Sequence, residues 1–216
     1  HLDKKPIVVL SNNDGCVIAR SNESKLLGVK MGAPAFQMKE IFEKNNIQVF
    51  SSNFALYGDL SKRVMTILEE ESPEIEVYSI DEAFLGFKGF KDVNKQAAKI
   101  RHKVKKWTGI PVSIGIGPTK TLAKVANHVA KKYTKTGVFV LNDFQFTLKV
   151  LKRIPIGDVW GIGRRYASFL CSNGVITAYD LTQKSEYWVK RNLKINGLRL
   201  VQELKGISCY NLETSS

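Results

Sequence analysis

Hydrophobic positions along the chain change their period several times, and each change marks an element. Pro6-Ile-Val-Val-Leu10 is a continuous apolar run of strand length, and Cys16-Val-Ile-Ala19 is a second. The turn-forming Ser11-Asn-Asn-Asp-Gly15 separates them. Ser21 is placed to cap a short helix that stops at Gly28. After Gly32-Ala33-Pro34 a helix runs to about Asn45-Asn46, followed by a short strand from Gln48 to Phe50. A long amphipathic helix is expected from about Phe54 to Glu71, with Leu56, Leu60, Val64, Ile67 and Leu68 on one face. Pro73 ends it, and Ile75 to Leu85 alternates as two strands joined through Ile80-Asp81-Glu82. A helix from about Val93 to Trp107, a strand from Val112 to Ile116, a helix from Thr119 to about Lys132 and a strand from Val138 to Leu141 complete an alternating half. Beyond Asn142 strands give way to short helices punctuated by Pro155, Gly161, Gly163, Gly174, Gly197 and Gly206, so a domain boundary is expected near Asn142. Almost nothing precedes the Pro6 strand, so a first strand or helix is expected upstream of it.

Charge changes the picture. Lys and Arg number 33 against 20 Asp and Glu in 216 residues, a net charge of +13 spread along the whole chain, as expected of a protein that meets a polyanion. No apolar run approaches the length of a membrane span and no signal-peptide core is evident, which reads as a soluble, cytoplasmic, nucleoid-associated chain. Cys16, Cys171 and Cys209 are too scattered for a disulfide framework or a zinc site, and His1, His102 and His128 show no ligand spacing.

The residues that carry chemistry are Asp81 and Glu82, adjacent carboxylates between the apolar runs Val77-Tyr78-Ser79-Ile80 and Ala83-Phe84-Leu85. Neighbouring side chains in a regular strand face opposite sides, so both carboxylates can meet one site only at a strand end or turn. A divalent cation with phosphate oxygens would compensate their charge. Read alone, the pair is equally an acidic hairpin tip facing water.

Ser79-Ile80-Asp81-Glu82-Ala83-Phe84-Leu85 closely resembles the palm motif of Y-family DNA polymerases. Other blocks match in order: Val9 to Glu23 and Gly28 to Pro34 resemble the fingers of the UmuC branch (the ImpB/MucB/SamB group). Leu56-Tyr57-Gly58-Asp59, Ser113 to Lys124 and Gly161-Ile162-Gly163 continue the resemblance over essentially the whole chain. It implies an α+β fold: fingers at residues 1–53, a palm at 54–141 and an all-helical thumb with a helix-hairpin-helix at 142–216. It also implies error-prone DNA synthesis across lesions by a two-metal mechanism, with Asp81 and Glu82 holding two Mg²⁺ ions. The family's third carboxylate, on a first palm strand, is expected upstream of Pro6, so residues 1–216 are expected to be inactive alone. The little-finger domain is likewise expected to be missing.

By the same resemblance Lys131 grips the incoming triphosphate, and Asn22 and Lys25 stand where other members have a tyrosine and an arginine, with Arg20 in reserve. Lysine keeps the charge but not the bidentate fork. Gly161 and Gly163, followed by Arg164 and Arg165, are expected to hold a DNA phosphate through backbone N–H groups without reading bases. Trp160 reads as a core residue. The implied partners are primer-template DNA and a dNTP. A processed UmuD-like dimer is left open, and sliding-clamp contact is expected to be lost. A non-catalytic DNA-binding fragment or scaffold is the competing reading. A nucleotide cyclase would share the palm but would not explain the fingers or the glycine hairpin.

Overall fold

The computed structural model describes residues 2–213, so His1 and the last three residues of the expected thumb lie outside the described residues. The chain divides into two compact units, one through Asp59 and one from Leu60.

In the first unit β1 (Ile7–Leu10) is the centre of a three-stranded sheet, antiparallel to β2 (Val17–Arg20) and parallel to β3 (Gln48–Ser51). α1 (Asn22–Leu26) begins at Ser21, whose side chain accepts the Ser24 amide, and Gly28 follows it at positive φ. α2 (Ala35–Lys44) leads to β3. Val8, Leu10 and Val17 meet Val29, Phe42 and Ile47 in this unit's core.

α3 (Phe54–Glu71) has the expected length, and its C-terminal half buries the expected Val64 and Ile67 together with Met65. Val64, Met65 and Ile67 are buried, while Leu56 is exposed. In the second unit β4 (Ile75–Ser79) and β5 (Glu82–Leu85) form an antiparallel hairpin. α4 (Val93–Thr108) is capped by Asp92 and closed by Gly109 in the left-handed region. β6 (Ile114–Ile116), α5 (Lys120–Tyr133) and β7 (Val138–Val140) form a parallel pair with its crossover helix. The ladder claims only Ile114–Ile116, so Val112 and Ser113 fall outside the strand expected there. A side chain at Gly115 would put Cβ 1.9 Å from the Asn127 backbone nitrogen. Glycine therefore sets how closely α5 lies on β6.

The remaining elements are α6 (Phe144–Leu151), a single 3₁₀ turn (Ile156–Asp158), α7 (Arg164–Ser172), α8 (Ala178–Thr182) and α9 (Glu186–Leu204). No strand follows β7 among the described residues, but the helical segment does not stand apart at Asn142. Leu122, Val125 and Ala126 of α5 share one core with Leu151, Leu170, Leu181 and Leu204. The mixture of helices with small sheets is the α+β class expected.

Candidate active site

Ser79 and Glu82 form the last pair of the β4–β5 hairpin, leaving Ile80 and Asp81 as a two-residue turn. Neither turn residue has positive φ, so this is not the mirror-image turn that matches strand twist. The register instead slips by one residue at Tyr78, and such a bulge adds twist and re-aims the side chains beyond it. Asp81 sits exposed in the turn, accepting a 2.8 Å hydrogen bond from Ser79 Oγ. Glu82 opens β5 and is half-buried. Both line a cavity of about 230 Å³ together with Lys124, Asn127 and the backbones of β5 and β6. The hairpin thus brings the two carboxylates to one space, as a turn can and a regular strand cannot.

α5 supplies the countercharges. Its N-terminus is fixed by Thr119, whose hydroxyl accepts the Leu122 amide and donates to the Glu203 carbonyl. Lys120 and Lys124, one turn apart on the same face, reach the hairpin. Lys120 Nζ pairs with Glu76 and Lys124 Nζ with Glu82, each at 2.5 Å. Burial pushes the Glu76 carboxyl up, but the Lys120 hydrogen bond and the Glu213 amide outweigh it and leave it below the ordinary range. The two ammonium groups also lie over Phe84 and Tyr78. Trp160 packs edge-on against Tyr78 and donates its indole N–H to the Tyr78 hydroxyl at 3.3 Å, with Tyr210 on its other side. Trp160 is therefore a packing residue and ties the segment before α7 to the hairpin.

Lys131 lies on the same face of α5, seven residues and about 10 Å beyond Lys124. It is exposed, and no hydrogen bond or ion pair among the described residues joins it to Asp81 or Glu82. In the first unit, Asn22 and Lys25 are brought together, Lys25 Nζ donating to Asn22 Oδ1 at 3.1 Å on the exposed side of α1. Arg20 donates one guanidinium N–H to the Val29 carbonyl at 2.8 Å. Its Nε is buried without a hydrogen-bond partner among the described residues.

Gly161 takes positive φ, and Gly163 precedes α7 with no side-chain cap. Arg164 and Arg165 stand exposed in the first turn. The element before this turn is one 3₁₀ turn and not a full helix.

Sequence reasoning missed Lys120, Lys124, Glu76 and Glu203. The two lysines stand as an i, i+4 pair within Ser113 to Lys124. Glu203 gave no local signal, because its partners are distant in sequence. Among the described residues no group of three or more His, Cys, Asp or Glu could hold a metal ion. Asp81 and Glu82 remain a pair, and a pair of carboxylates with open cavity beside it fits Mg²⁺, which keeps waters and takes substrate phosphates as further ligands.

The impB/mucB/samB family matches residues 1–128. The chain is 46% identical over 214 residues to Protein UmuC of Salmonella typhimurium, covering 97% of this chain and 51% of that protein. It is 32% identical to DNA polymerase IV 1 of Bacillus subtilis, over 94% of this chain and 49% of that one. A solved Y-family DNA polymerase chimera superimposes with a TM-score of 0.82 at 26% identity, covering 99% of this chain and 64% of that chain. The chain spans about half the length of the curated relatives it matches. With a small sheet-and-helix unit through Asp59, a paired-carboxylate hairpin and a C-terminal helical segment in this order, the chain belongs to the impB/mucB/samB family and carries the fold of Y-family DNA polymerases.

Proposed function

We propose that this chain supplies the fingers, catalytic hairpin and thumb of a DNA-templated nucleotidyltransferase that copies damaged templates in the response to DNA damage. The observation that carries the reading is the bulged turn that turns Asp81 and Glu82 toward one cavity. Divalent ions bound there would lower the pKa of a primer hydroxyl and neutralise the triphosphate and its leaving group. Asp81 and Glu82 would hold them, and Lys120, Lys124 and Lys131 line one face of α5 along which a polyphosphate could lie.

A third carboxylate has a place to arrive. Among the described residues β5 pairs only with β4, and β6 only with β7. Residues of both β5 and β6 line the cavity, and Asn127, which also lines it, has a buried Oδ1 without a partner. An extended segment seated there would pair on both sides and place its own acidic residue beside Asp81. Residues 1–216 by themselves then lack catalytic metal geometry and do not extend a primer.

The uncapped N-terminus of α7, with Arg164 and Arg165, supports phosphate-directed binding of DNA and so favours a DNA-binding role even without catalysis. Titration of a magnesium–dNTP complex tests the nucleotide side of the proposal. Lys131→Ala should weaken binding more than Lys25→Ala, because the Lys25 ammonium is shared with Asn22. Equal or reversed losses would contradict the assignment of the α5 face to the triphosphate.

A further inference from the structure

Resting on that reading of Asp81 and Glu82, we propose that Lys124 is a positioning residue that occupies Glu82 in place of a divalent cation and gives the carboxylate up when the cation binds. Three observations carry this. Lys124 Nζ lies 2.5 Å from Glu82 Oε1, and the lysine side chain is only 19% exposed, so the contact is built into the fold and is not a chance surface pair. Lys120 makes the same contact with Glu76 one turn earlier, so the helix presents a ladder of ammonium groups to the hairpin. The third observation is that Lys124 and Glu82 line the same cavity as Asp81.

The physical logic follows from charge. Two adjacent carboxylates beside a half-closed cavity repel one another and would splay apart without a counterion. A single ammonium on Glu82 holds that carboxylate at the cavity wall and leaves Asp81 open, with only the Ser79 hydroxyl on it. The ammonium cannot remain on the oxygen that a cation takes as ligand, and a positive charge at this distance also opposes the approach of a dication. Lys124 therefore sets the affinity for the ion low enough that it binds best with the negative charge of a nucleotide. Release frees an ammonium beside the cavity, about 10 Å along α5 from Lys131, to meet that same polyphosphate.

The test measures Mn²⁺ binding by loss of the free-ion electron paramagnetic resonance signal, without nucleotide, in the protein and in Lys124→Met, Lys124→Arg and Glu82→Gln. Lys124→Met should bind Mn²⁺ roughly tenfold more tightly, Lys124→Arg should stay near the unsubstituted value, and Glu82→Gln should bind more weakly. A second measurement needs no variant: the rate of acetylation at Lys124, read by mass spectrometry, should rise several-fold when Mn²⁺ is added, while Lys120 stays protected. Mn²⁺ binding that depends on Glu82 but is unchanged or weakened in Lys124→Met, or Lys124 acetylation indifferent to Mn²⁺, overturns the proposal alone. Mn²⁺ binding indifferent to Glu82→Gln overturns the site reading beneath it.

Discussion

Glu203 offers the sharpest structural prediction because it is a fully buried acidic side chain surrounded by backbone donors. Its carboxylate accepts the Thr121 amide at 3.0 Å, the Cys209 amide at 2.6 Å and the Tyr210 amide at 3.2 Å. One side chain near the end of α9 thus fixes the first turn of α5 and the segment that carries Tyr210 to Trp160. Glu203→Ala strands the buried Thr121 amide, at about 1–3 kcal/mol, while the two outer amides can recruit water at a smaller loss of about 0.5–1 kcal/mol each. The net loss is about 3 kcal/mol, which for a unit of this size lowers Tm by roughly 6–12 °C. Glu203→Gln keeps one acceptor oxygen and turns an NH₂ toward a donor, so it should lose about 1–2 kcal/mol. Trp107, Trp160 and Trp188 all lie beyond Leu60, so urea unfolding followed by tryptophan fluorescence reports this unit directly. A loss below about 1 kcal/mol for Glu203→Ala would refute the claim that its carboxylate anchors α5.

Three further outcomes are expected. Lys194 sits inside α9 at φ 61 and ψ −158, a region that suits glycine alone, so Lys194→Gly should raise stability by about 1 kcal/mol in the same urea assay; a loss would show that the lysine is not strained there. Burial, then the neighbouring Lys132, holds the His128 imidazole below its ordinary value, with Asp158 opposing. Its contribution is therefore present above the unfolded value of about 6.5 and lost as pH falls through the lower folded value, so His128→Gln should flatten the fall in stability between about pH 7 and 5. An unchanged slope would exclude His128 as its source. Reversing the charge of Arg164 and Arg165 should weaken DNA binding about equally on every sequence and reduce its salt dependence, measured by fluorescence anisotropy; a loss confined to one sequence would indicate base readout instead.

Much of the hairpin and its helices could be read in the sequence because local rules decide them. Ser21, Asp92 and Thr119 cap helices as their side chains demand, and Gly28 and Gly109 close helices at positive φ. The alternation around Asp81 and Glu82 located the turn, although the bulge at Tyr78 that orients it has no signature in the residues. The stripe on α3 is buried at Val64 and Ile67, with Leu68 packed beside them, but Leu56 is exposed and Met65 is buried, because the neighbours that cover a helix decide its face. Lys124 and Glu82 are 42 residues apart, and Glu203 and Thr121 are 82 apart. Such pairings are products of tertiary packing, and helical or strand periodicity carries no trace of them.

The central proposal is that Asp81 and Glu82 act in the chemical step, and single-turnover nucleotide incorporation in a chain that carries the proposed third carboxylate tests it most directly. Asp81→Asn and Glu82→Gln should each slow incorporation by at least about 10²-fold, while primer-template affinity changes by less than about twofold, since these groups stabilise developing charge and do not grip the duplex. Incorporation at the unsubstituted rate by either variant would contradict the account.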